Sequence, residues 1–166
     1  MLKKIVLLSF LCLPLGMIAQ EVKIAYVNSA EIFNVMPETA AAESELLKLN
    51  QSLRADIQGM EAELNKKYTE FMQQSDTLVQ SIKVRRMQEI EDLKNRIETY
   101  YQQAEQQVAQ KKNEVQAPIV QKIQDAIKSV GDEQGYTFVM EKGAFLYVSP
   151  KAVDATNQVK AKLGLK

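Results

Sequence analysis

Residues 46–71, LLKLNQSLRADIQGMEAELNKKYTEF, and residues 82–108, IKVRRMQEIEDLKNRIETYYQQAEQQV, decide the fold. In the first stretch Leu46, Leu49, Leu53, Ile57, Met60, Leu64, Tyr68 and Phe71 recur at intervals of three and four. In the second, Ile82, Arg86, Ile90, Leu93, Ile97, Tyr101, Ala104 and Val108 keep the same rhythm. The series then runs on through Val115, Ile119, Ile123, Ile127 and Val130. Such spacing lays a narrow apolar seam along one side of a helix, the signature of a coiled coil.

Helix breakers are scarce around these stretches. From Glu38 to Val130 only Gly59 and Pro118 interrupt a composition rich in Glu, Gln, Lys, Leu, Ala and Met, all strong helix formers. The polar triplet Ser75-Asp76-Thr77 separates the two series, and Thr77 with Gln80 predicts a capping box that restarts the helix. A short loop makes the two helices antiparallel neighbours, a helical hairpin. At 1.5 Å per residue, a first arm of about 37 residues spans roughly 55 Å and a second of about 53 residues roughly 80 Å. The second overshoots the first, and Pro118 in the overshoot is expected to kink it and act as the hinge between arm and body.

The flanks have a different texture. Val22 to Val27 is rich in β-branched residues and predicts a strand. Asn28, with Glu31 three residues on, caps a short helix edged by Ala30, Ile32 and Phe33, and Pro37 suits the first turn of the next helix. Beyond Gly135, the runs 136–140 and 144–148 surround Glu141-Lys142-Gly143 and predict a β-hairpin, with Gly143 serving the turn. Asp154 caps a last short helix through Lys162, with Gly164 just beyond. The arm brings its own ends together, so both strand regions meet in one small sheet. The expected fold is α+β, mostly α: a long antiparallel helical hairpin on a small β-rich body.

The first residues read as a leader. Lys3 and Lys4 precede an apolar run from Ile5 to Met17 that is too short to span a bilayer, and Ala19 offers a small residue for cleavage. Cys12 lacks the small neighbours of a lipidation signal. The organisation is therefore a signal peptide at 1–19 and a first body segment at 20–36. The hairpin arm follows at 37–117 with its tip near 75–77, and a second body segment at 118–166. Removal of the leader takes away the only cysteine and leaves 19 basic against 21 acidic residues, a net charge of −2. An exported chain without disulfides is held by packing, and a body this small needs an oligomer to cover its sheet edges.

Composition also removes function classes. The chain has no His, and the mature part has no Cys nucleophile, zinc spacing, phosphate loop or serine elbow, so an enzyme is not expected. No cofactor and no metal are implied. Near-zero charge argues against nucleic-acid binding, and no second apolar segment would insert stably in a membrane.

Over nearly the whole mature chain, the order of elements resembles the Skp/OmpH family. The local matches are Lys23 to Asn28 with Ile32-Phe33, Ile123 to Val130 before Gly135 to Met140, the Tyr-containing run Ala144 to Val148, and Asp154. The resemblance implies a periplasmic homotrimer whose β-rich body joins three helical hairpins around a cavity. It implies that unfolded outer-membrane β-barrel proteins are held there without ATP. The best-known members are strongly basic, and the near-neutral charge here departs from them.

In that setting the expected client contacts lie off the seam near the tip: Phe71, Met72, Leu78, Val79, Val84 and Met87. Methionine adapts its shape to varied partners. Lys83, Arg85 and Arg86 form a basic cluster beside them, readable as a docking patch or as a solvated face paired with Glu89, Glu91 and Asp92. Tyr100 and Tyr101 face the cavity or the seam. Ile24, Tyr26, Phe138, Met140, Phe145 and Tyr147 build the body core or the trimer interface. The alternative is an envelope adaptor whose coiled coil binds one folded partner.

Overall fold

The computed structural model describes residues 22–165. The signal-peptide reading of residues 1–19, Cys12 and Ala19 included, lies outside them. Strand β1 (Ile24–Val27) leads into helix α1 (Ser29–Val35). The Asn28 side chain accepts the Glu31 N–H at 3.1 Å and donates to the Glu31 carboxylate at 3.3 Å, while the Asn28 N–H goes to the Thr156 hydroxyl at 3.0 Å, so the cap forms but the reciprocal half of a capping box does not. Pro37 opens α2 (Pro37–Gln74), where its missing N–H costs no helical bond. Helix α3 (Gln80–Gln134) returns alongside α2 and runs through Pro118 without a break.

The tip departs from expectation. Helix α3 starts at Gln80 with Val79 at its cap and no side-chain cap bond. Thr77 lies two residues before that cap, and its hydroxyl donates to the Gln74 carbonyl at 2.9 Å, at the end of α2 instead.

Helix α3 ends at Gly135, whose φ of +66° is the left-handed conformation that glycine adopts most cheaply. The sheet that follows is three-stranded and parallel, in the order β2 (Phe138–Glu141), β1, β3 (Val153–Asp154). The expected β-hairpin does not form. β2 and β3 lie on opposite edges of β1 and point the same way, and parallel strands cannot be joined by a tight turn. The chain between them, 142–152, is therefore a crossover. It begins with a 3₁₀ turn, Lys142–Ala144, and continues as extended or irregular backbone through the run predicted as a strand. Gly143 has no positive φ and supplies no special turn. Helix α4 (Thr156–Lys162) follows β3, with the Asp154 carboxylate accepting the Thr156 N–H at 2.9 Å and Gly164 at φ +72° beyond its end.

The body core sits on one face of this sheet. Ala25 and Val27 are buried against Ile32 and Met36, against Ile119, Ile123, Ala126 and Val130 of α3, and against Ala155 and Val159. Ile32 and Val159 are fully buried. The overshooting part of α3 thus supplies a wall of the core, which is how a short sheet gains enough apolar area to fold. No described helix is long and apolar enough to cross a membrane.

Candidate client-binding arm and assembly face

Two surfaces have functional potential, and the first is the free end of the arm. The seam is closed at the base by Thr39, Ala42 and Ile119 and in its middle, where Leu53 and Ile57 of α2 and Leu93, Ile97 and Ala104 of α3 are buried. Four polar rungs tie the helices from there to the base. Tyr101 donates to Glu61 at 2.9 Å and Tyr100 to Asp56 at 2.8 Å. Lys111 pairs with Glu45 at 3.0 Å, and Lys122 pairs with Glu38. Hydrogen bonding to the carboxylates pushes both tyrosine hydroxyls up from their ordinary range. The bond from Lys122 holds the Glu38 carboxyl below its usual value.

Sequence reasoning missed these rungs. A tyrosine at a seam position reads as core, yet Tyr101 is exposed and Tyr100 half-buried, each with its hydroxyl reaching across to the other helix. The available signal was the pair of acids, Asp56 and Glu61, at matching height on the other arm.

Of the six residues expected to meet client, Met72, Val79, Val84 and Met87 are exposed at the tip, between 56% and 66% of their surface. Phe71 and Leu78 are half-buried. Arg85 pairs with Glu89 at 3.5 Å along its own helix, as a solvated face does. Lys83 and Arg86 are half-buried and make no ion pair among the described residues.

The second surface is the sheet face opposite the core. Register places Ile24 beside Phe138 and Tyr26 beside Met140. Alternation then turns these side chains away from Ala25 and Val27 and out of the core. The crossover lies over part of this face, where Phe145, Tyr147 and Val148 line a small pocket with Ile24 and Tyr26. It leaves much uncovered: Phe138 is 57% exposed, Tyr147 76%, and Leu146 fully. The core half of the expectation for this group thus fails. Tyr26 and Phe145 are half-buried, and the other four are exposed.

Tyr26 is fixed by polar neighbours at one side of the face. The Lys142 ammonium lies 5.9 Å from its ring centroid. Partial burial, followed by the Asp154 charge and hydrogen bond, pushes its hydroxyl up. Burial opposes the charge on Asp154, but hydrogen bonds from Thr156 and Tyr26 outweigh it and leave that carboxyl lowered. Among the described residues, no group of His, Cys, Asp and Glu side chains is placed to hold a metal ion.

Comparison with known proteins agrees with this architecture. The Chaperone protein Skp of Yersinia enterocolitica is 29% identical over 144 residues, covering 85% of this chain and 88% of the relative. That of Photorhabdus luminescens is 30% identical over 135 residues, covering 81% and 82%. A crystal structure of a Caulobacter crescentus protein described as OmpH-like superposes with a TM-score of 0.73 at 16% identity, over 84% of this chain and 82% of that one. It shares the fold. The family model for "Outer membrane protein (OmpH-like)" matches residues 23–163, and the chain belongs to that family.

Proposed function

We propose that the protein is a periplasmic holdase chaperone that binds unfolded outer-membrane β-barrel proteins without ATP. The observation that carries the reading is the exposure of Met72, Val79, Val84 and Met87 at the free end of a long arm. Apolar groups held far from the body, on helices whose backbone bonds are already satisfied, attract apolar side chains of any sequence and cannot template a strand. The relatives named chaperones support the same reading.

The assembly proposed is a homotrimer joined through Ile24, Tyr26, Phe138, Met140, Phe145 and Tyr147. An apolar sheet face left open in the single chain favours self-association, because contiguous exposed apolar patches are rare on monomers. Three arms then act together, each contact raising the effective concentration of the next, so weak and reversible contacts add up to retention. Lys83, Arg85 and Arg86 add local positive charge to the same end of the arm.

Sedimentation velocity tests the proposal, on the protein alone and after dilution of a urea-unfolded outer-membrane β-barrel protein into it. A trimer alone and a discrete soluble complex with client are expected. A monomer, or a client that aggregates regardless, would overturn the holdase reading in favour of an adaptor for a folded partner.

A further inference from the structure

The arm changes character along its length. Around Leu53, Ile57, Leu93, Ile97 and Ala104 the seam is closed. From Gln58 to Asp92, out to the tip and back, no residue is buried. Seam positions Met60, Leu64, Phe71, Ile82 and Ile90 are only half-covered, and Tyr68 is 54% exposed. The polar rungs also stop: none lies farther out than Glu61 and Tyr101 among the described residues. Helices in water derive most of their stability from packing rather than propensity, so this outer hairpin is the least secured part of the arm.

Arg86 occupies a seam position where an apolar residue would close the pair. Its guanidinium helps line a polar groove of about 230 Å³ between the helices, with Lys67, Glu70, Arg85, Glu89 and Ile90. A cation at a seam position resists dry packing, because its charge is costly to bury, so the helices part there at low cost.

We infer that the seam of the outer hairpin, kept from tight packing by Arg86, is itself a client-binding surface. On parting, Leu64 and Phe71 of α2 and Ile82 and Ile90 of α3 face one another across a gap whose margin is charged. The occupant that fits is an extended polypeptide segment with alternating apolar and polar residues, the pattern of an unfolded membrane β-strand. Its apolar side replaces the lost helix contacts, and its polar side meets Lys67, Glu70, Arg86 and Glu89. The inference rests on the chaperone reading and differs from it in using side chains that the closed arm half-conceals.

Hydrogen exchange on the purified, assembled protein tests it, with and without a urea-unfolded outer-membrane β-barrel protein. Amides of residues 60–92 are expected to exchange about ten-fold or more faster than those of 93–104, and client should protect 64–71 and 82–90. Arg86→Leu should fill the seam, slow exchange in 60–92 and weaken client capture by about ten-fold, whereas Arg86→Lys should behave as the parent protein does. Capture unchanged in a slow-exchanging Arg86→Leu protein would overturn the inference alone and leave the outward tip residues as the sole contacts. Exchange equally slow along the whole parent arm, or unaltered by Arg86→Leu, would also overturn it. Failure of the parent protein to capture client at all would overturn both the inference and the holdase reading.

Discussion

The Tyr101 hydroxyl of α3 donates to the Glu61 carboxylate of α2 at 2.9 Å, and no side-chain bond between the two helices lies nearer the tip among the described residues. This pair marks where the arm passes from a tied coiled coil to a loosely packed end. Tyr101→Phe removes the hydroxyl and keeps the ring. The fast-exchanging region is expected to extend toward the base by about one helical turn, with little change in global unfolding. An unmoved boundary in amide exchange would show that Tyr101 does not tie the helices.

The body depends on Ile32, which has no exposed surface among Val27, Ile123 and Val159 of the core cluster. Ile32→Ala should cost about 2–5 kcal/mol, because the wall of α3 behind it cannot collapse into the space. Urea unfolding followed by circular dichroism measures this. A loss under about 1 kcal/mol would mean that the core repacks.

Assembly and folding should separate on the open sheet face. Phe138 is 57% exposed in the single chain, so Phe138→Asp leaves the fold of the subunit intact. Buried between copies, the same carboxylate would lie unpaired in an apolar interface. Sedimentation is expected to show dissociation with an unchanged far-ultraviolet spectrum. A variant that stays assembled would place the interface elsewhere.

Two glycines should answer differently to alanine. Gly135 sits at φ +66° with open space where a Cβ would go, so Gly135→Ala costs about 1–2 kcal/mol through backbone strain alone. Gly143 has an ordinary φ and equally open space, and Gly143→Ala should be nearly neutral. The pair is compared by urea midpoints at constant slope.

Acid should loosen the base of the arm. The hydrogen bond from Lys122 holds the folded-state pKa of Glu38 below its ordinary value of 4.5. The folded form therefore binds fewer protons than the unfolded one near and below that pH. The contribution is present above pH 4.5 and is lost as pH falls through the lowered folded value. Glu38→Gln should be less stable than the parent protein at neutral pH and should lose less stability on acidification. Parallel acid profiles for the two proteins would show that the pair is not linked to folding.

Local features of the chain could be read without the fold. The long helices follow from scarce breakers and three-four spacing, and the turn near 75–77 from a polar triplet between two apolar series. The Asn28 cap, Pro37 in the first turn and glycine at the end of α3 are equally local, since each depends on bonds between residues a few positions apart. The tip residues other than Phe71, which closes the first apolar series, were legible as apolar groups outside both series, but sequence spacing could not say which were covered. Met72 and Val84 stand exposed while Phe71 and Leu78 are half-buried.

By itself, then, the sequence determined that this protein is a helical hairpin on a small mixed body, because helix periodicity and capping act over short distances along the chain. Only the tertiary structure decided that β1 is the central strand of a parallel sheet and that the run 144–148 crosses over it instead of pairing. Only there did Tyr100 and Tyr101 become rungs rather than core, and Ile24 and Phe138 an open face. A strand-prone run pairs only if a backbone edge is free beside it. Val153–Asp154 takes the second edge of β1, and the 3₁₀ turn at Lys142–Ala144 carries 144–148 over the sheet face instead of back along β2. That competition among distant segments for one set of hydrogen bonds is not written in the spacing of any one of them.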